Sequence, residues 1–213
     1  MSENVNLKQI ERKAWISYFD DGLWDIMLGL TLMFVGIPAL LPNIFTSELR
    51  QDGASAVLMG LAFGIFWAGK RFITVPRLGR ARFGQERKAK QRKTAAIYAI
   101  SVLAGVIAFL LFLAQSTNPS SGASWLGSAG LVALGIGAWM MLVFSLGSYF
   151  MDFTRGYVVG ALYVLGFSGT VLLHNPIMLL FAGGITLLMG LVVFIRFLQN
   201  YPIPAEAAPD DKV

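Results

Sequence analysis

The chain has 213 residues, 56% of them hydrophobic and only 14% charged, with a formal net charge of +5 and no cysteine. A soluble domain carries about 25% charged residues, and one soluble core cannot hide apolar residues that arrive in such long unbroken blocks. Disulfides, thiolate metal sites and thiol catalysis are excluded outright, and the expected fold class is an all-α integral membrane bundle of six transmembrane helices with an N-terminal amphipathic interfacial helix.

The N-terminus, MSENVNLKQIERKAW, is polar and of mixed charge. It has no apolar core followed by a small-residue cleavage site, so the first span is expected to act as an uncleaved insertion signal. Within it Leu7, Ile10, Ala14 and Tyr18 recur at helical spacing while Lys8, Glu11, Arg12 and Lys13 take the other faces. That pattern predicts a helix lying in the interface, with Trp15 and Tyr18 at headgroup level.

Asp20-Asp21-Gly22 ends that helix and starts the next, because an aspartate accepts the orphan N–H groups of a helix start and opposes its positive dipole end. Span 1 is expected over residues 23–41, with Pro38 loosening its outer end, and a loop over 43–53 holds Glu48, Arg50 and Asp52. Span 2 covers 54–72. Lys70 and Arg71 near its end are long enough to snorkel to the headgroups, and Pro76 marks its end because Val75 is biased away from helix.

The basic loop over 70–94, KRFITVPRLGRARFGQERKAKQRKT, holds ten of the seventeen Lys and Arg and one acid, Glu86. Span 3 follows over 95–114, its helix able to begin as early as Gln85 because ERKAKQRK contains no breaker. The uncharged loop QSTNPSSGAS leads to span 4 at 125–146, a polar connector over 151–156, span 5 at 157–173, the turn His174-Asn175-Pro176 and span 6 at 177–198. The tail over 199–213, rich in Pro and Ala, is expected to be disordered. Residues 1–198 thus read as one membrane domain.

Placing the basic loop in the cytosol puts sixteen of the seventeen Lys and Arg on the inner side and leaves only Arg50 outside. Lys and Arg in short loops set orientation, so the chain is expected to be a multi-pass protein of a prokaryotic plasma (inner) membrane with both termini cytosolic. An internal echo accompanies this topology. Asp21, Gly29 and Met59-Gly60-Leu61 match Asp152, Gly160 and Met189-Gly190-Leu191 in spacing, either as a parallel hairpin repeat or as coincidence in a glycine-rich chain.

Catalytic chemistry finds little support. The lone His174 sits in a turn, and one histidine without cysteine does not build a zinc site. HExxH, GxSxG and P-loop patterns are absent. No cofactor or metal is expected, and the chain reads as a non-enzyme. The acids Asp21, Asp25 and Asp152 fall at the inner ends of spans 1 and 5, with Asp21 and Asp25 on one helical face. Capping and pairing with Arg71, Arg77 or Arg155 is one reading of them; a cation or proton site is the other.

Glycines supply a second pair of readings. Gly60–Gly64 and Gly156–Gly160 are GxxxG pairs suited to close helix packing. Gly183-Gly184 either packs in the same way or opens span 6 as part of a solute path. In the basic loop Arg71, Arg77, Arg80, Arg82 and Arg87 surround a Pro-Gly turn beneath a span. Arg forks grip phosphates, and a polybasic stretch beside a span attracts anionic lipid at about 1 kcal/mol per charge. These five are the candidate lipid- or partner-binding residues, and a plain orientation signal is the alternative.

The motifs DGLWDIMLGL, FITVPRLGRARF and FIRFLQNYPIP together resemble a family of small uncharacterised prokaryotic multi-span membrane proteins. The resemblance covers nearly the whole chain and implies the same span count without implying an activity. The functional expectation is therefore a non-catalytic protein whose basic cytosolic face binds anionic lipid headgroups or an acidic cytosolic partner. The alternative is a small homo-oligomeric channel or transporter for an ion or small solute. Nucleic acid is not expected as a partner, since no recognition module is visible.

Overall fold

The computed structural model describes residues 19–41, 44, 47–78, 89, 92–101, 103–105 and 129–202, and every regular element among them is helical. Helix α1 is Leu23–Leu40. Helix α2 is Glu48–Gly69, continued without a break by a π-helical turn at Lys70–Thr74 and a last α-turn at Val75–Leu78. Helix α3 is described over residues 92–101, α4 is Ala129–Met151, α5 is Arg155–Leu173 and α6 is Ile177–Asn200.

Four stretches are long and apolar enough to cross a membrane: Leu23–Leu40, Arg50–Leu78, Arg155–Leu173 and Ile177–Asn200. A shorter apolar stretch, Gly135–Met151, lies in α4. Their outward faces carry exposed Val57, Leu61, Trp67, Leu165, Phe181 and Leu188. A bundle that hides its backbone polar groups in helices and turns such side chains outward suits hydrocarbon rather than water. These are the marks of an integral membrane protein.

Helix α1 is the centre of the packing, with α6 its most extensive neighbour, α2 next and α5 touching it more sparsely; α4 lies against α5 and α5 against α6. Glycine sets the α1–α6 distance. Gly22, Gly29 and Gly36 recur every seven residues on α1 and face Gly190, Gly183 and Leu179 of α6 in turn, so the two helices run antiparallel. A Cβ at Gly29 would come within 2.6 Å of the Leu187 nitrogen and 2.9 Å of the Gly183 oxygen. Only a missing side chain permits that approach, which supplies the close dispersion contacts that hold helices together once the hydrophobic drive is gone. Gly22 has a second reason to be glycine: its φ of 73° lies in the left-handed region.

Beside this seam, Leu32, Val159, Tyr163, Leu179 and Ala182 form the apolar core. The Tyr163 hydroxyl donates to the Leu28 carbonyl at 2.9 Å, which joins α5 to α1 and satisfies the one polar atom the ring brings inside. Phe144 of α4 stacks on the same ring with centroids 4.7 Å apart and covers Gly160, so the Gly156–Gly160 pair serves the α4–α5 contact.

Several boundaries differ from the sequence-based expectation. The second helix begins at Glu48, capped by Ser47, whose hydroxyl accepts from the Arg50 nitrogen at 3.4 Å; Glu48, Arg50 and Asp52 lie in its first turns rather than in a loop. Nor does it stop before Pro76. The π turn, closed by the Val75 N–H on the Lys70 carbonyl, widens the helix just ahead of the proline and lets it continue to Leu78. Gly183-Gly184 do not open the last helix, which is continuous from Ile177 to Asn200. The internal echo pairs glycines with different roles: Gly190 is pressed against Ile26 and Asp25, whereas Gly60 has nothing within 4 Å among the described residues. The expected interfacial helix, the loop over 115–124 and the tail beyond 202 fall outside the described residues.

Candidate functional site

Both sets of candidate residues collect at one end of the bundle, where α1 and α5 begin and the π-bearing helix, α4 and α6 end. Among the described cations, Lys70, Arg71, Arg77, Arg92, Lys93, Arg155 and Arg196 lie towards this end, and Arg50 lies at the start of α2. Two layers are distinguishable there: an exposed basic rim, and beneath it a buried ionic cluster around the first turn of α1.

The cluster is built from four segments. Asp21, directly ahead of α1, is fully buried, and its Oδ1 accepts the Leu23 N–H at 3.1 Å, which satisfies an orphan donor of the helix start. Its Oδ2 receives the Lys70 ammonium at 2.7 Å and the Thr74 hydroxyl at 2.7 Å. Lys70 and Thr74 are the two ends of the π turn, which therefore turns both donors onto one oxygen. Such turns are frequent at functional positions. The Lys70 side chain is only 8% exposed. The snorkelling expected of it does not occur, because a carboxylate already stands inside and a paired buried charge is tolerated where an isolated one is not.

Asp25, one turn further along the same face, is equally buried. It meets Arg155 of α5, whose Nε lies 3.1 Å from Oδ2. The distance marks a charge contact, but the alignment of a hydrogen bond is missing, and both Asp25 oxygens are left without a donor. The terminal nitrogens of Arg155 are turned elsewhere, one donating to the Phe19 carbonyl at 2.6 Å and the other lying 3.6 Å from Asp20 Oδ1, while its Nε, like the Asp25 oxygens it faces, makes no hydrogen bond among the described residues. Asp20 is the cluster's exposed member, at 53%, and burial of its remainder raises its carboxyl from the usual range against the pull of Arg155, with the Asp21 charge adding to the rise.

Aromatic rings seal the cluster. Phe19 packs against Trp24 and Phe153, and Trp24 against Phe66, with centroids 4.7 to 6.0 Å apart. Lys70 lies over the Phe66 ring and Arg155 over Phe153, which adds cation–π attraction to each ion pair. Such a setting strengthens whatever electrostatic contacts exist and makes a missing one costly.

In the rim, Arg71 is exposed and stands over the rings of Trp67 at 5.2 Å and Phe72 at 5.9 Å. Arg77 ties the end of the second helix to the end of α6 through its Nε and the Tyr201 carbonyl, 3.1 Å apart. Arg80, Arg82 and Arg87 lie outside the described residues. Asp152 is placed apart from the ionic cluster as a lining residue of an open cleft of about 370 Å³, shared with Lys93, Ser148, Tyr149, Phe150, Thr154 and Tyr157. Its φ of 55° turns the chain from α4 into α5.

Of the sequence candidates, then, Asp21 and Asp25 come together, Asp152 lines a neighbouring cleft, and Arg71 and Arg77 share the rim. Arg155 partners Asp25, as one of the three arginines considered for that role. The reading missed Lys70 and Thr74 as partners of Asp21. No family model, no curated protein and no solved structure matches this chain.

Proposed function

We propose that the chain is a non-catalytic six-span protein of a prokaryotic plasma membrane, with both termini cytosolic, whose basic end binds anionic lipid headgroups. The observation that carries this reading is the exposed Arg71 set over Trp67 and Phe72 at the end of an apolar helix. Aromatic rings favour the boundary between hydrocarbon and headgroup, and an exposed Arg beside them brings a guanidinium fork that suits phosphate. Arg77 lies about two turns on, and the sequence continues with Arg80, Arg82 and Arg87. The non-catalytic part rests on sequence alone, with one histidine, no cysteine and no hydrolase motif.

Replacing Arg71, Arg80 and Arg82 with Gln, and leaving Arg77 to its Tyr201 contact, tests the reading. At about 1 kcal/mol per cation, anionic phospholipid retained through purification falls on the order of a hundredfold while zwitterionic lipid is unaffected. Unchanged retention would remove the proposal and turn attention to an acidic protein partner. The alternative of a small homo-oligomeric channel or transporter keeps one support, the open Gly60–Gly64 face of α2, where no described atom would meet an added Cβ.

A further inference from the structure

Among the described residues, the charges that meet at the start of α1 do not balance. Three carboxylates, Asp20, Asp21 and Asp25, stand against two cations, Lys70 of the π turn and Arg155 of α5. Lys70 is taken up by Asp21, so Arg155 serves both remaining acids. From α6 the nearest group is Gly190, whose added Cβ would lie 2.9 Å from that of Asp25, and it brings no charge. The unmatched negative charge therefore falls on the Asp20–Asp25–Arg155 group. Asp20 is water-exposed and can remain ionised, whereas Asp25 is fully buried with no hydrogen-bond donor on either oxygen. An ionised carboxylate so placed is unfavourable, and taking up one positive species relieves it.

We infer that Asp25 is a proton-binding site, filled on the acid side of neutrality from the basic end of the bundle past Asp20. A proton fits better than a metal ion. Among the described residues no three His, Cys, Asp or Glu side chains come together to hold a metal, and two fixed cations already border the site. In loading, a hydronium ion gives its proton to an Asp25 oxygen and leaves as water; the carboxyl is then neutral. Arg155, released from sharing, closes on Asp20 and the Phe19 carbonyl, so the loaded site grips the segment ahead of α1 more firmly onto α5. Ionisable groups within membrane spans are functional suspects by default, and this one stands beside Arg155, with the exposed Asp20 on the other side of that guanidinium. The inference does not depend on lipid binding by the rim.

Infrared spectroscopy of the full chain, carrying carboxyl-labelled aspartate and reconstituted in lipid, tests it. The wild type shows a protonated-carboxyl band at mildly acidic pH that disappears at alkaline pH, survives in Asp20→Asn and Asp152→Asn, and is absent in Asp25→Asn. No such band in the wild type at mildly acidic pH overturns the inference, whatever the variants do. A band that persists in a folded Asp25→Asn protein, or is lost in Asp20→Asn, overturns it as well. Should Asp25→Asn not fold, Asp25→Glu under aspartate-only labelling removes the labelled band and makes the same assignment.

Discussion

Asp21 and Asp25 are the same residue type, four positions apart on one helical face, and both are wholly buried. They differ in donors. Asp21 receives an ammonium, a hydroxyl and a backbone N–H, while Asp25 receives the flank of an arginine engaged elsewhere. Depth alone does not decide what a buried carboxylate is; the groups aimed at it do. Asp21 with Lys70 is a structural tie that fixes the π turn to the start of α1. Asp25 is left incomplete, as are the Arg155 Nε beside it, the Trp24 indole nitrogen and the Thr170 hydroxyl, and of these a buried carboxylate is the costliest to leave ionised.

The largest expected effect comes from making Asp21 resemble Asp25. Lys70→Met leaves a buried carboxylate without its counter-charge, and the loss of stability is expected at about 3–5 kcal/mol, read as a lowered midpoint in thermal unfolding of the purified protein. A loss near zero would mean that the Thr74 and Leu23 donors alone satisfy Asp21, and the contrast between the two acids would weaken.

A second comparison runs between glycines. Gly29→Val forces a side chain against the Leu187 and Gly183 backbone, which cannot yield as a side-chain tip can, and about 1–3 kcal/mol is expected from overpacking. Gly60→Ala meets nothing within 4 Å among the described residues and gains helix propensity, so its midpoint is expected to hold or rise by the equivalent of at most about 1 kcal/mol. A marked fall with Gly60→Ala would show that the α2 face is covered in the membrane, and would favour an oligomer.

Much of the architecture is legible in the sequence because span length and apolar content are local properties. The helices at 23–40, 155–173 and 177–200 follow from them to within a few residues. The ends of the second helix do not. Glu48, Arg50 and Asp52 look like a loop by polarity, yet Ser47 caps them into helix, and Pro76 looks like a stop because nothing local announces the π turn that accommodates it. The candidate site divides along the same line. The shared face of Asp21 and Asp25 is a matter of periodicity and can be counted. The partnership of Asp21 with Lys70 joins residues brought together by the α1–α2 hairpin, and no spacing rule reaches it. The seven-residue recurrence of Gly22, Gly29 and Gly36, matched by Gly183 and Gly190, was the available signal for the α1–α6 seam, and the GxxxG pairs drew the eye from it.

The measurement that bears most directly on donors outweighing depth is thermal unfolding of Asp21→Asn and Asp25→Asn side by side, in the same lipid at mildly acidic pH. Asp21→Asn strands the Lys70 ammonium and is expected to lose about 3–5 kcal/mol. If Asp25 holds its proton, Asp25→Asn replaces a neutral carboxyl by a neutral amide of the same shape, and the variant is expected to stay within about 1 kcal/mol of the wild type. Equal losses in the two variants would contradict the account, since they would mean that Asp25 is an ionised partner of Arg155 as firmly held as Asp21 is by Lys70.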